Sequence, residues 1–367
     1  MQAPESVTAR VWRTAFRTCT PLGATIEITL RCNLRCAHCY NFDREVPYPK
    51  TRAASELTPP EIVALIDALA EAGTLFLSFT GGEALLHPHL EDFVRHARER
   101  RFAVRVKTNG TLLTPPRVSR LQAAGVLGVD VSLYGARPET HDAFTADPGS
   151  FERTVAGVRS ARDAGMKVRV SVSVMRTNAA EMGEMIDLIE SLGVVANLDT
   201  HITPRYDGEQ GPVGLRVDAE TLEQLYRGPL RQLVGAPDCS PDRSVQCSCA
   251  RSVVAIVSNG DVYPCIGAPL RAGNVREQTF AEIWATSPVF LKIRGLTLDD
   301  FSACKPCPDR PYCRRSSGVV YVTTGDYTGP EEWTCMEAAV LHRIHGAEPD
   351  HEPAPARLAT LGTRHEI

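Results

Sequence analysis

Residues 24–39 read ATIEITLRCNLRCAHC. An apolar, β-branched run, Ala24–Leu30, leads directly into cysteines 32, 36 and 39, which have the spacing CxxxCxxC. The run predicts a buried strand. Three thiolates on the short loop after it can ligate three irons of a [4Fe–4S] cube and leave the fourth iron open to another ligand. Zinc would need a fourth protein ligand, and His38, between two of the cysteines, is badly positioned to supply it.

Strand-like and helical segments alternate on both sides of this loop, from residue 24 to residue 200. The predicted strands are Ala24–Leu30, Leu75–Phe79, Ala103–Lys107, Val129–Leu133, Lys167–Val174 and Ala196–Thr200. The predicted helices are Pro59–Ala72, His89–Arg100, Pro115–Ala124, Ser150–Ala164 and Ala179–Leu192. Glycines 73, 125, 165 and 193 mark helix ends. The pattern indicates parallel strands with right-handed crossovers, either a partial (βα)6 barrel or an open doubly wound sheet. In both, chemistry is expected at the carboxyl ends of the strands.

Composition excludes several classes of function. The chain has 367 residues, of which 43% are hydrophobic and 23% charged, a balance typical of globular proteins. Its formal net charge of −4 provides no basic field, so nucleic-acid binding is not expected. No apolar run has the length of a signal peptide or a membrane span, so we expect a cytoplasmic protein without membrane association.

Cysteines are concentrated at two places in the chain. Of the 12, none lies between residues 40 and 238, whereas the last third holds eight, at positions 239, 247, 249, 265, 304, 307, 313 and 335. Short, fixed spacings in a chain without an export signal favour metal sites over disulfides. From Pro237 to Met336 the sequence is rich in turns, with a hairpin predicted at Asn259-Gly260. A helix is predicted at 218–233, before this segment, and only a short one at 279–285 within it, so bound clusters would have to hold the segment together.

The motifs at the strand ends resemble those of the radical S-adenosylmethionine (SAM) superfamily. They are the CxxxCxxC loop, Gly81-Gly82-Glu83 after the second strand, Asn109-Gly110 after the third, and Ser132-Leu133-Tyr134-Gly135 after the fourth. The resemblance implies a partial TIM-like barrel and a catalytic [4Fe–4S] cluster on Cys32, Cys36 and Cys39. It also implies SAM contacts from His38, Gly81, Gly82, Glu83, Asn109 and Ser132. Tyr134 departs from the pattern, since relatives often carry aspartate there.

The C-terminal cysteines resemble those of the SPASM domain, which binds auxiliary [4Fe–4S] clusters. The resemblance implies one cluster on Cys304, Cys307, Cys313 and Cys335. A second auxiliary site would use Cys249 and Cys265 with Cys247 or Cys239. Ser317 stands where the usual run has a further cysteine, and we expect it to be solvated rather than a ligand. Zinc on four thiolates stays open as the alternative.

The resemblance implies reductive cleavage of SAM to a 5′-deoxyadenosyl radical, which abstracts hydrogen from a substrate. The expected substrate is a ribosomally synthesised peptide that is crosslinked, oxidised or epimerised. The alternative is a small molecule, such as a tetrapyrrole side chain, a sugar or an aminocyclitol, and a third hypothesis is a metal-binding scaffold without catalysis. A flavodoxin- or ferredoxin-type electron donor is implied, and a separate leader-peptide-binding protein is expected for a peptide substrate.

These observations divide the chain into four parts. We predict an N-terminal arm over 1–20, a barrel core over 21–235, a small, loop-dominated iron–sulfur domain over 236–346, and a mobile tail over 347–367.

Overall fold

The computed structural model describes residues 6–41, 55–234 and 246–347, and its centre is one nine-stranded sheet. The first six strands are β1 (Gly23–Thr29), β2 (Phe76–Gly81), β3 (Ala103–Thr108), β4 (Gly128–Ser132), β5 (Lys167–Ser173) and β6 (Val195–Asp199). They are parallel and lie side by side in chain order. A doubly wound sheet would reverse its strand order at a switch point. The consecutive order confirms the partial barrel.

Helices connect these strands and cover the outside of the barrel. They are α1 (Val7–Thr18), α2 (Pro59–Glu71), α3 (Leu90–Glu99), α4 (Pro115–Ala124), α5 (Pro138–Thr145), α6 (Ser150–Asp163), α7 (Met182–Ser191) and α8 (Ala219–Arg227). The four glycines predicted to end helices all have positive φ, for example +95° at Gly125. At the start of α2, the backbone N–H of Thr58 donates to the Glu61 carboxylate at 2.7 Å as part of a capping box.

The two faces of the barrel strands differ in chemistry. On β1, Ile26 and Ile28 are buried in the apolar core shared with the surrounding helices, whereas Glu27 and Thr29 alternate with them on the inner face. Successive side chains of a strand point to opposite faces. The same alternation therefore places polar residues of the other strands in the barrel interior. The barrel therefore has an apolar outer core and a polar interior.

The C-terminal region continues the barrel sheet. Strand β7 (Val253–Ile256) pairs in parallel with β1, and β8 (Asp261–Tyr263) and β9 (Gly273–Asn274) follow in antiparallel order. The hairpin predicted at Asn259-Gly260 is confirmed. The helix predicted at 279–285 is present as α9 (Phe280–Thr286). The region also holds three helices that its sequence did not indicate, α10 (Pro288–Gly295), α11 (Ser317–Thr324) and α12 (Glu332–Ala347). Its apolar residues join the barrel core, so this region is also held by packing against the barrel.

In the part of the chain before the C-terminal region, two further described helices fall where the sequence pattern did not indicate one. Helix α1 lies within the segment predicted as an arm, and its Trp12 stacks on Phe76 of β2 with ring centroids 5.5 Å apart. Helix α5 is inserted between β4 and α6. The tail was predicted over 347–367; Ala347 ends α12, and the rest of the tail lies outside the described residues, as does Cys239. Among the helices that the structure describes, none combines the length and apolarity needed to cross a bilayer.

Candidate active site at the barrel mouth

The CxxxCxxC loop begins three residues after β1 and is tied to the end of α5. The backbone N–H of Arg35 donates to the carbonyl of Thr145 at 2.9 Å, and that of Ala37 donates to Phe144 at 3.1 Å. Leu34 is buried, whereas the side chains of the three cysteines remain partly exposed. The short loop is thus anchored by its backbone, and its three thiols stay accessible.

Tyr134 lies beside all three thiols. Burial raises the pKa of Tyr134 well above its ordinary value, and the neighbouring Cys36, Cys39 and Cys32 raise it further. A hydrogen bond with Ser132, at the carboxyl end of β4, acts in the opposite direction on this pKa. Its phenol therefore stays protonated next to the cysteine loop, where the resemblance would have placed a carboxylate.

His38 belongs to an aromatic cluster under the loop. Its ring meets Tyr134 and Phe144 edge-on, with centroids 4.9 Å apart in both cases. Burial lowers the pKa of His38 to about 4, so the imidazole is neutral at pH 7. A neutral ring packed among aromatic rings acts as an apolar surface rather than as a charged group.

Gly81 and Gly82 allow the end of β2 to lie directly against the segment that leads to the cysteine loop. A Cβ on Gly81 would stand 1.9 Å from the carbonyl oxygen of Thr29, and one on Gly82 would stand 2.3 Å from that of Arg31. The N–H groups of Gly82 and Glu83 donate to these two carbonyls, each at 2.8 Å. Gly81 also has φ of +143°, which side-chain-bearing residues rarely adopt.

The Glu83 carboxylate connects the ends of β2 and β3. It is fully buried and accepts hydrogen bonds from the Thr108 hydroxyl and the Asn109 N–H, both at 2.7 Å, and from the Leu85 N–H at 2.9 Å. Burial raises the pKa of Glu83, and these donors and Arg117 offset part of the rise. In this arrangement the carboxylate positions the backbone of the barrel mouth.

Asn109 connects the end of β3 to the cysteine loop. Its amide donates to the Asn33 side chain at 2.9 Å, and Asn33 donates to the Thr111 hydroxyl at 2.9 Å. That hydroxyl donates back to Asn109 at 2.7 Å. Asn33 and Thr111 were not predicted as site residues. Their role becomes apparent only once the loops after β1 and β3 are known to lie side by side.

Three C-terminal thiols form a second group. Cys249 lies 3.0 Å from Cys247 and 3.0 Å from Cys265, measured between sulfur atoms. The Tyr327 hydroxyl lies 3.8 Å from the Cys247 sulfur, and burial together with these three thiols raises the pKa of Tyr327. Tyr327 belongs to no motif in the sequence, so sequence analysis could not identify it as a neighbour of these thiols.

Ser317 lies next to the same group, and the expectation that it is solvated is wrong. The side chain is fully buried, and its hydroxyl accepts a hydrogen bond from Arg315 at 2.8 Å. Its backbone N–H donates to the Cys247 thiol. Ser317 is buried because it begins α11 against this part of the domain, a placement that no local pattern reveals.

The structure also brings together Cys304, Cys307, Cys313 and Cys335. Burial raises the pKa of Cys313 to about 11, with Cys304 and Cys335 contributing, and the pKa of Cys335 is raised by burial, Cys304 and Cys307. None of the described cysteines forms a disulfide. No group of three or more metal-binding side chains in the described ranges is arranged to hold a single ion. The donor set, thiols in threes and fours, fits iron–sulfur clusters.

A cavity of about 330 Å³ lies beside β1 and β8, with Glu27 and Tyr263 in its wall. Leu30 and Asn41, on either side of the CxxxCxxC loop, line it together with Tyr263, two residues before Cys265. Tyr206 also lines it, and its N–H donates to the carbonyl of Tyr40 at 2.8 Å. The cavity wall therefore includes residues two positions away in the chain from Cys32, Cys39 and Cys265, although none of the described cysteines lines it.

Comparison with known proteins agrees with this arrangement. The pattern of the radical SAM superfamily matches residues 26–189, and that of the SPASM iron–sulfur cluster-binding domain matches residues 247–309. The AdoMet-dependent heme synthase of Methanosarcina barkeri is 32% identical over 84% of this chain and 94% of that protein. The mycofactocin maturase MftC of Mycobacterium tuberculosis is 29% identical over 94% of this chain and 90% of that protein.

Among solved structures, SuiB of Streptococcus suis bound to its precursor peptide SuiA has a similar fold. Its TM-score is 0.68 at 16% sequence identity, over 91% of this chain and 83% of that one.

Proposed function

This chain belongs to the radical SAM superfamily, with a C-terminal SPASM domain, and we propose that it modifies a ribosomally synthesised peptide by crosslinking, oxidation or epimerisation. It is an iron–sulfur enzyme that depends on SAM, and its cofactors are [4Fe–4S] clusters and SAM. The observation that carries the proposal is the cavity whose wall includes Leu30 and Asn41, which flank the cysteine loop, and Tyr263 of β8, two residues before Cys265.

In this proposal Cys32, Cys36 and Cys39 hold the SAM-binding cluster. When bound, the cluster supplies the electron that cleaves SAM to the 5′-deoxyadenosyl radical. The chain's own residues position the cluster and SAM. His38 gives the loop an apolar underside, Asn109 fixes the loop against β3, and Tyr134 closes the wall beside the thiols.

The SAM contacts are proposed for the strand ends around this loop. The Gly81-Gly82 backbone and Ser132 border the position next to the thiols, where an amino acid group and a ribose could be bound. Glu83 organises this segment through its three donors. Because these groups are held by backbone hydrogen bonds, the site is organised before SAM binds.

The auxiliary clusters are proposed for the two C-terminal groups. Cys304, Cys307, Cys313 and Cys335 form a set of four, and Cys247, Cys249 and Cys265 form a set of three, with Cys239 outside the described residues. Ser317 is not proposed as a ligand, because its hydroxyl is engaged by Arg315. We place the domain boundary near residue 235, so that the barrel core is 21–235 and the cluster domain 236–346.

Relatives support a peptide substrate for this site. One is named as a mycofactocin maturase and others as PqqA peptide cyclases, and one solved structure of similar fold holds a precursor peptide. The cavity of about 330 Å³ is open to solvent, as a site for a peptide segment requires. A flavodoxin- or ferredoxin-type donor would supply the electron, and a separate protein would present the peptide's leader.

A tetrapyrrole is the second candidate substrate. The supporting observation is the 32% identity with AdoMet-dependent heme synthase, which extends over 94% of that protein. Under this alternative the cavity would hold the side chain of a macrocycle rather than a peptide segment.

The test is anaerobic incubation of the reconstituted enzyme with SAM and dithionite. Formation of 5′-deoxyadenosine is expected, and its absence would refute the radical SAM activity of this site. Addition of short peptides encoded beside the gene should increase its formation and change the peptide mass, with the Cys32/Cys36/Cys39→Ala variant as control. A response to a propionate-bearing porphyrin and to no peptide would instead favour the tetrapyrrole.

A further inference from the structure

The barrel lumen is lined by polar and charged side chains. An ordinary TIM barrel fills its interior with layers of Val, Ile and Leu. Here the inner positions of β3, β4 and β5 include Arg105, Lys107, Asp130 and Arg169. These charges lie below the barrel mouth, and no residue proposed for SAM or cluster binding is among them.

Strand pairing places three of these charges in one row. Lys107 of β3 is opposite Asp130 of β4, and Asp130 is opposite Arg169 of β5. Lys107 and Arg169 therefore flank Asp130, at roughly one strand spacing of 4.8 Å on either side. Glu27 lies at a comparable depth on β1, with β2 between β1 and β3 and roughly 10 Å between the axes of β1 and β3.

The carboxylate of Asp130 is already bound by two guanidinium groups. Arg169 donates to its two oxygens, each at 2.9 Å, and Arg105 donates at 2.6 and 3.1 Å. Burial by itself would raise the pKa of Asp130, but Arg105, Lys107 and Arg169 together lower it. The carboxylate is thus ionised, and its acceptor positions are taken by the arginines.

Lys107 is left without a carboxylate at ion-pair distance in the part of the chain that the structure describes. Desolvation of the ammonium group lowers the pKa of Lys107, with Asp130 opposing and Arg169 and Arg105 reinforcing the effect. Solvent still reaches Lys107, because it projects into the open lumen. Three basic side chains thus surround the single carboxylate of Asp130, and a bound anion would favour the protonated form of Lys107.

We propose that Lys107, next to the Arg105–Asp130–Arg169 group, binds a carboxylate of the substrate. This inference rests on the proposed function and assigns a chemical class to its substrate. An anion there would neutralise part of the excess charge without displacing Asp130 from its arginines. Lysine suits this role, because its flexible stem lets a compact charge follow the ligand.

The position of Lys107 also limits where the reaction occurs on the substrate. Asn109 and Ser132 each lie two residues further along their strands than Lys107 and Asp130, a rise of about 7 Å. A carboxylate at Lys107 would therefore place a carbon a few bonds away at the level of the proposed SAM site. An acidic residue of a peptide and a propionate of a tetrapyrrole both satisfy this distance.

The test is competitive acetylation of the reconstituted enzyme with SAM, under anaerobic conditions, followed by mass spectrometry of each lysine. The chain has only five lysines, and the exposed Lys292 of α10 is an internal reference. Glutarate should lower the acetylation of Lys107 several-fold and leave Lys292 unchanged, whereas the neutral glutaramide should protect neither. Equal protection of both lysines, or no protection of Lys107 by glutarate, overturns the inference.

Two further probes distinguish the source of the carboxylate. A short peptide with a glutamate, compared with its glutamine counterpart, tests an acidic peptide, and coproporphyrin compared with its methyl ester tests a tetrapyrrole. Selective protection by the acid form identifies the source. Because labelling does not depend on SAM cleavage, an enzyme that forms 5′-deoxyadenosine while Lys107 stays unprotected would refute this inference and leave the proposed function standing.

Discussion

The two cysteine-bearing regions of the molecule are assembled in different ways. The N-terminal thiols lie within eight residues of one loop, and their spacing alone indicates what they can bind. The C-terminal groups combine segments that lie far apart in the chain, such as the loop at Cys304 and Cys335 on α12. A local site, built from one loop, can therefore be predicted from the spacing of its residues. An assembled site, built from distant segments, depends on how helices and hairpins pack.

The local site also needs distant support. Its loop is held by carbonyls of Phe144 and Thr145 and by the Asn33–Asn109 hydrogen bond. Spacing specifies which residues bind, and tertiary contacts specify where their atoms lie. The predictions below test this division.

The largest effect is expected from the combined Cys32→Ala, Cys36→Ala and Cys39→Ala variant. With three clusters, the reconstituted chain should hold about 12 irons, and this variant should lose about four of them. Formation of 5′-deoxyadenosine should be abolished, because the iron open to SAM is lost with the cluster. Iron analysis and chromatography check both results, and a variant that still cleaves SAM would contradict the assignment.

Cys335→Ala tests the assembled site. Removal of the ligand on α12 should deplete about four irons from the second C-terminal group, while the N-terminal cluster should keep its spectral shift on addition of SAM. Cys19→Ala, outside all three groups, is the matched control and should retain the full iron content. If both variants lose equal amounts of iron, Cys335 is not a ligand.

Glu83→Gln tests the support of the local site. The variant replaces a buried carboxylate acceptor of three hydrogen bonds with an amide, so we expect a loss of about 1.5–3 kcal/mol in the free energy of unfolding. The KM for SAM should rise, because the ends of β2 and β3 lose their common acceptor. Denaturant titration and SAM kinetics measure these effects. The control Glu152→Gln, on an exposed face of α6, should change neither the free energy of unfolding nor the KM for SAM.

The smallest effect is expected from Ser317→Ala. Arg315 would lose one acceptor, at a cost of about 1–3 kcal/mol in the free energy of unfolding. Iron content should stay unchanged, because the hydroxyl is engaged by Arg315 and oxygen is a poorer ligand than thiolate for these irons. Loss of about four irons would show that Ser317 is a ligand after all.

Most barrel elements were predictable from the sequence. Strands β1–β6 follow apolar runs, and helices such as α2 and α4 have clear caps and glycine ends. Helices α1, α5, α10, α11 and α12 were not predicted. Helix α1 owes its position to contacts such as Trp12 on Phe76, and α5 supports a loop more than 100 residues away in sequence. Ser317 was misjudged for the same reason: its burial comes from packing rather than from its neighbours in the chain.

The sequence by itself determined the barrel rhythm, the three thiols of the loop and the glycines that let β2 approach it, because each depends on residues close together in the chain. Only the tertiary structure decided that Glu83 links two strands, that Tyr327 and Ser317 border the Cys247 group, and that Lys107 shares a row with Asp130 and Arg169. Those relations depend on strand pairing and burial, which arise when distant segments pack together.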